Sequence, residues 1–353
     1  MITRKNTKKI EVGDVPIGGR SPISIQSMTT SKTYDVDSIV EEIIRLEKAG
    51  CDIIRASLPE MDSVRAIPEI KNRTNIPLIG DVHFNYKLAL AAIEEGIDKI
   101  RINPGNIGSR KNVEKVLEKA KSYNIPIRIG VNSGSLGKDI LQKYGHPIAD
   151  AMLESAEKHL QICRRFGFED LVISLKSSDV SLMIEANRKF SAKFDYPLHL
   201  GVTEAGTGWK AEVKSSIGIG TLLAEGIGDT IRVSLTDDPV REIETARQIL
   251  KSLGLIPGGL DIISCPTCAR TQSDLVALVK ELEERTGHIQ KNLKIAVMGC
   301  AVNGPGEARE ADLGIACGKN GGLLFKKGKV IETIPEDQMI SRLVEEIEKF
   351  PEK

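Results

Sequence analysis

One phrase recurs eight times between residues 23 and 253: a short apolar strand, a polar or glycine-rich turn, then an amphipathic helix. The strands read ISIQSM (23–28), DIIRASL (52–58), PLIGDVHF (77–84), KIRINPG (99–105), IPIRIGVNSG (125–134), LVISLKSSD (171–179), PLHLGVTEAG (197–206) and TIRVSL (230–235). Helical stretches such as DVDSIVEEIIRLEKAG and DDPVREIETARQILKSLG open on an acidic cap and close on glycine. Eight such units predict an α/β fold, a (β/α)8 TIM-like barrel. An open doubly wound sheet is the alternative. Hydrophobic residues make up 41% of the chain and aromatics only 4%, so the core must come from Ile, Val, Leu and Ala. That suits parallel strands buried on both faces.

The barrel is expected over 1–253, followed by a linker, GLIPGGLD, at 254–261. After it the pattern changes to IISC, QSDLVALVKELEERTG, LKIAVMGC, ADLGIACG, GLLFKKGKVIET and a closing helix, which predicts a small α+β domain over 262–353. Lys+Arg and Asp+Glu each total 49, a balance that argues against a general nucleic-acid or membrane-surface binder. The segment MITRKNTKKIEVGDV has no apolar leader core, and no apolar run is long enough to span a bilayer. A cytoplasmic protein is expected, in which the six cysteines are metal-binding or redox-active sooner than disulfide-bonded.

Side chains two apart on a strand share a face. By that rule Arg55 pairs with Ser57, Asp81 with His83, Arg101 with Asn103, Arg128 with Asn132, Ser174 with Lys176, and Arg232 with Ser234. Their apolar neighbours, such as Ile100 and Ile102, face the helices. The polar set is expected at the carboxyl-terminal mouth of the barrel, where enzymes of this fold keep their chemistry. Four arginines and a lysine in one cavity repel one another and call for an anion, and arginine forks match phosphate oxygens. The plainer alternative pairs them with acids such as Asp81 or Glu204. Glu204 has the parity of Leu200 and Val202, but the glycine-rich turn GVTEAGTG can re-aim it to the mouth as an acid/base carboxylate. His83 and His199 read as structural, and His146 as surface.

In the second domain, SCPTCAR (264–270) carries Cys265 and Cys268, and GCAVNGPGEA (299–308) carries Cys300. A structural zinc site would need a fourth ligand, for which Cys317 is available. A thioredoxin-like pair would leave Cys300 unexplained. A [4Fe–4S] cluster with three thiolates needs one more donor. Two glycines and a proline in NGPGE can turn Glu307 over the Cys300 loop, and a carboxylate is a weaker, displaceable ligand for iron. Cys317, Cys51 and Cys163 read as ordinary buried thiols.

SCPTCAR, GCAVNGPGEA, RINPGNIG, IPIRIGVNSGSL, LHLGVTEAG, VKSSIGIGTLLAEGIGDTIRVSL and IQSMTT together resemble the 4-hydroxy-3-methylbut-2-en-1-yl diphosphate synthase family of the non-mevalonate isoprenoid pathway. The likeness runs over nearly the whole chain and is to the compact bacterial form. It implies reductive opening and dehydroxylation of 2-C-methyl-D-erythritol 2,4-cyclodiphosphate to 4-hydroxy-3-methylbut-2-enyl diphosphate. It further implies a [4Fe–4S] cluster on Cys265, Cys268, Cys300 and Glu307, reduced flavodoxin or ferredoxin as donor, and a homodimer in which one chain's cluster domain caps the other's barrel. At the family's diphosphate-binding positions stand Arg55, Arg101, Asn103, Arg128, Asn132, Ser174, Lys176, Arg232 and Ser234. Asp81 and His83 join them by parity.

Overall fold

The structure, a computed structural model, describes residues 2–103, 107, 110–257, 259–300, 306 and 310–351. It parts into two compact units between Ile256 and Pro257. The first opens with an antiparallel hairpin of β1 (Ile10–Val12) and β2 (Val15–Ile17). Its two-residue turn places Gly13 at φ +56°, a left-handed conformation that glycine adopts without strain.

Eight parallel strands follow: β3 (Ser24–Met28), β4 (Ile53–Ser57), β5 (Leu78–Asp81), β6 (Lys99–Ile102), β7 (Ile127–Asn132), β8 (Leu171–Lys176), β9 (His199–Leu200) and β10 (Thr230–Ile231). They stand in the order β8-β7-β6-β5-β4-β3-β10-β9. Ile173 of β8 bridges Leu198, beside β9, in parallel, and its amide donates to Pro197 O at 2.9 Å. The ring is thereby closed into the barrel that the eight-fold repeat predicts. The two strands that end short, β9 and β10, leave Arg232 and Ser234 just beyond regular pairing.

Helices cover the outside, as the caps foretell. Asp35 accepts from Ser38 N at the head of the helix Val36–Lys48, and Asp238 accepts from Val240 N at the head of Pro239–Ser252. The outward strand residues Ile25, Ile54, Ile100, Ile127, Ile129, Ile173, Leu200 and Ile231 pack against them in one apolar core. Leu253, Leu255 and Ile256 rest on that core too.

The lumen is graded along its axis. At its amino-terminal end Ile10, Val12 and Ile17 of the hairpin cluster with Ile53, Ile79 and Val172 of β4, β5 and β8. Each of those three strand residues lies two positions before a polar one, Arg55, Asp81 or Ser174. The hairpin is therefore an apolar plug beneath a polar upper lumen, and it is what the sequence reading missed. Segments of three residues carry too little periodicity to stand out.

The second unit is a five-stranded sheet in chain order, β11 (Leu260–Ser264), β12 (Leu293–Met298), β13 (Leu313–Gly318), β14 (Gly321–Lys326) and β15 (Lys329–Pro335). The first three strands are parallel and the last two join antiparallel. Helices Leu275–Thr286 and Met339–Lys349 bury Leu282, Ile340, Leu343 and Ile347 with Ile295, Val297 and Ile315 of the sheet.

Candidate functional site

The upper lumen of the barrel is lined by charge. Asp81 stands at its centre. Arg101 Nη1 donates to Asp81 Oδ1 at 3.1 Å, while Arg55 Nε and His83 Nε2 lie 3.7 and 3.4 Å from Asp81 Oδ2. Burial pushes the Asp81 carboxyl up, but Arg55, then His83 and Arg101, outweigh it and hold it well below the ordinary carboxylate range. Arg55 Nε and Nη2 also reach Met28 Sδ, at 3.2 and 2.8 Å. Arg232, on the neighbouring strand, meets the same sulfur from Nη1 at 3.8 Å and Glu242 at 3.4 Å. Glu242 comes from the helix Pro239–Ser252, so strand parity gives no hint of it.

Arg128 is almost fully enclosed and donates from Nη1 to Gln26 Oε1 at 3.2 Å. Burial, then repulsion from Arg55 and Arg101, pulls its guanidinium well below the usual arginine value. Lys176 is depressed likewise, by burial and then by Arg128, Arg232, Arg55 and Arg101. The Arg55 guanidinium falls to about 10, burial outweighing the help of Asp81. Glycines make room for two of these groups. A Cβ on Gly130 would sit 3.0 Å from Arg101 Nη2, and one on Gly201 would sit 2.7 Å from Lys176 Nζ.

Among the described residues this lumen holds six cations, Arg55, Lys99, Arg101, Arg128, Lys176 and Arg232, against two carboxylates, Asp81 and Glu242. Six less two leaves four positive charges facing one another in a low-dielectric space. Among the described residues the plainer pairing with acids accounts for Arg55, Arg101 and Arg232 in part, for Arg128 only through the attraction of Asp81, and for Lys176 not at all. Lys99 was missed, though it stands two residues before Arg101 and parity alone would have found it. Asn103 and Ser174 are buried in the same region; Asn132 and Ser234 are half-buried and His83 is exposed. Ser174 Oγ donates to Ile129 O at 3.4 Å. His199 is wholly buried, and among the described residues neither ring nitrogen has a hydrogen-bond partner.

Glu204 takes φ +53°, a left-handed conformation that costs a side-chain-bearing residue about 1–2 kcal/mol. Its turn is tied at both ends: Thr203 N donates to Ser177 O after β8, and Thr236 N to Gly206 O after β10. The side chain is exposed at the carboxyl-terminal end of the strands. Strain held by such ties concentrates at functional sites.

In the second unit Cys265 follows β11 directly and Cys300 lies two residues beyond β12. These strands are parallel neighbours with Ser264 opposite Val297, so both cysteines leave the sheet at the same edge. Gly299 N–H donates to Cys265 Sγ at 3.3 Å, and Gln272 N–H to Gly299 O at 2.9 Å. Cys268 N–H donates to Thr271 Oγ1 at 3.1 Å. A Cβ on Gly299 would press on Thr271 at 3.0 Å, so glycine there lets the two cysteine loops close up. Cys268 is exposed, Cys265 half-buried and Cys300 buried, and none is in a disulfide. The Gly299 amide points at the Cys265 sulfur, and the cysteines lie on loops that leave the carboxyl-terminal ends of β11 and β12. Yet among the described residues no three His, Cys, Asp or Glu side chains are gathered closely enough to hold a metal ion. Glu307 lies outside the described residues. Cys317 on β13 sits in the apolar core, its thiol raised by burial, with Cys265 and Cys300 near enough to add to that rise. Cys51 and Cys163 in the barrel are pushed up to about 12 by burial and are inert.

An α/β barrel with a cationic mouth, in one chain with a smaller α+β unit that carries Cys265, Cys268 and Cys300, defines the class: a two-unit enzyme built on a TIM barrel. Residues 7–247 match the model of the GcpE TIM-barrel domain and residues 261–349 that of the GcpE protein C-terminal domain. The chain is 57% identical over 347 residues to 4-hydroxy-3-methylbut-2-en-1-yl diphosphate synthase (flavodoxin) of Clostridium perfringens, covering 98% of this chain and 99% of that protein. The protein of that name from Shouchella clausii is 56% identical, over 100% of this chain and 96% of its own length. Among solved structures, a dihydropteroate synthase from Stenotrophomonas maltophilia aligns with a TM-score of 0.52 at 13% identity, over 71% of this chain and 100% of that one, a likeness of barrel fold alone. The chain belongs to the GcpE family of 4-hydroxy-3-methylbut-2-en-1-yl diphosphate synthases, oxidoreductases of isoprenoid biosynthesis.

Proposed function

We propose that the chain opens and dehydroxylates 2-C-methyl-D-erythritol 2,4-cyclodiphosphate at the barrel mouth, giving 4-hydroxy-3-methylbut-2-enyl diphosphate and water. The observation that carries this reading is the formal surplus of positive charge in the lumen, half of which a cyclic diphosphate, a dianion, would neutralise. Arg55, Arg101, Arg128, Lys176 and Arg232 grip the phosphate oxygens, with Asn103, Asn132, Ser174 and Ser234 donating beside them. Asp81 sets the forks of Arg55 and Arg101, and His83 borders it. Glu204, fixed on its strained turn, delivers a proton to the departing oxygen.

Cys265, Cys268 and Cys300, with Glu307, would hold a [4Fe–4S] cluster. When bound, such a cluster would pass on the two electrons of the reduction one at a time, taken from reduced flavodoxin, as the relatives' name indicates, or from a ferredoxin. The chain works as a cytoplasmic homodimer.

The test is anaerobic reconstitution of the full chain, followed by metal analysis and turnover of the cyclic diphosphate with reduced flavodoxin. About four irons per chain and formation of the linear diphosphate are expected. Cys300→Ser should lose iron and turnover together. Zinc in place of iron, held by Cys317 with the other three sulfurs, would overturn the reading.

A further inference from the structure

Beneath the mouth arginines lies a second polar layer of the lumen, in which the proposed reaction gives a task to Arg128 alone. It is made by Ser24, Gln26, Lys99, Arg128, His199 and Thr230, none more than 4% exposed. Strand register sets His199 opposite Thr230, and Thr230 opposite Ser24, on three adjoining strands. Gln26 follows two residues after Ser24 and meets Arg128 across the lumen. Lys99, two residues before Arg101, stands opposite Ile79, just above the apolar plug.

Five of these six residues leave a buried polar atom unpartnered, and each of the five can donate. Among the described residues, Ser24 Oγ, Gln26 Nε2, Arg128 Nε, Thr230 Oγ1 and both ring nitrogens of His199 have no hydrogen-bond partner. Among the described residues the charges acting on Lys99 are those of Arg128 and Arg55, both repulsive. Because Arg128 can only donate, it fixes the Gln26 amide with oxygen towards itself and NH2 free. The ammonium, guanidinium Nε and amide NH2 donate only, and the hydroxyls and a ring N–H can join them. Leaving such donors empty costs about 1–3 kcal/mol each.

We propose that this layer binds a small monovalent anion of the halide class, chloride, held by Lys99, Arg128 and Gln26 below the diphosphate site. Water alone would carry no charge and would leave Lys99 and Arg128 repelling each other. An eight-stranded lumen is just wide enough for side chains and the Gln26–Arg128 bond already crosses it at 3.2 Å, which favours the smallest anion over a phosphate group. The halide keeps both cations protonated and their geometry set before substrate arrives.

The experiment compares thermal unfolding of the full-length protein in chloride and in gluconate at equal ionic strength, each with and without saturating pyrophosphate. Chloride should raise the barrel's Tm by roughly 4 °C, as expected for a ligand well above its Kd in a domain of this size. The rise should persist with pyrophosphate present. Lys99→Met removes the charge at similar volume, so it should melt no lower than the wild type in gluconate and show no chloride response. Equal melting in the two salts, a response abolished by pyrophosphate, or one that survives in Lys99→Met would each overturn the site. Crystals of the wild type soaked in bromide give a reading that needs no variant. An anomalous peak between Lys99 and Arg128 supports the proposal, and peaks confined to the mouth arginines refute it.

Discussion

Arg128 and Gln26 are joined by a hydrogen bond that spans the barrel: their strands, β7 and β3, stand four places apart in a ring of eight. Among the described residues a neutral amide is the one hydrogen-bond partner of this enclosed guanidinium; Asp81 attracts it, while Arg55, Arg101 and Arg232 repel it. In the proposed reaction Arg128 serves the ligand and not stability. Replacing it with Met should lower substrate kcat/KM at least tenfold, the scale of one charged hydrogen bond of about 1.5–3 kcal/mol. The melting temperature should hold or rise, since a similar apolar volume replaces an unneutralised buried charge. A large drop in Tm together with unchanged kinetics would reverse the assignment.

Asp81 does the opposite work. With its side chain 4% exposed and those of Arg55 and Arg101 at 11% and 10%, it is the acid that makes this cationic layer tolerable. Breaking such a buried pair costs about 3–5 kcal/mol, and Asp81→Asn should be destabilised by that order in urea melts. The folded carboxyl titrates below its unfolded value of about 4, so its stabilisation is complete above that pH and drains away as pH falls beneath it. Stability curves of wild type and Asp81→Asn should accordingly converge on acidification. Parallel curves down to low pH would contradict the pairing.

Most of this architecture was legible in the chain because a barrel repeats its rule eight times and parity then sorts each strand. Arg55, Asp81, Arg101, Arg128, Ser174 and Lys176 are buried together as that rule requires. What it does not reach comes from elsewhere in the fold. Glu242 arrives on a helix, with a period that carries no strand parity, and accepts from Leu235 N at 3.0 Å as well as facing Arg232. The plug of Ile10, Val12 and Ile17 is recognisable only once Ile53, Ile79 and Val172 are seen above it. Parity also failed at Glu204, where a left-handed residue breaks the alternation that the argument needs. Cysteine spacing in the second unit, by contrast, was local and needed no fold to be read.

That left-handed residue separates chemistry from stability. Glycine adopts φ +53° freely but loses more entropy on folding, so Glu204→Gly should change stability by no more than about 1 kcal/mol. Its kcat should fall about 100-fold or more, within the range for loss of a proton donor, with KM little changed. Glu204→Gln should match it in rate while retaining the strain. A Glu204→Gly enzyme with native kcat would remove this carboxylate from the reaction.

The finest constraint on the mouth is set by a residue without a side chain. Gly201 lies where an added Cβ would meet Arg232 O at 2.6 Å and Lys176 Nζ at 2.7 Å. The first contact is with backbone and cannot be relieved by rotating a torsion, and the second would displace the ammonium that Gly201 now admits. Overpacking of this kind costs about 1–3 kcal/mol. Gly201→Ala should therefore lower Tm and raise KM for the cyclic diphosphate, because Lys176 and Arg232 are both moved from their positions. Iron content should be unaffected, since the cysteines lie in the other unit. Gly220, whose added Cβ would meet only Ile249 Cγ2 at 4.0 Å, is the matched control, and Gly220→Ala should leave KM as it was. If the two alanine variants behave alike in KM, the close approach at Gly201 does not position the binding groups.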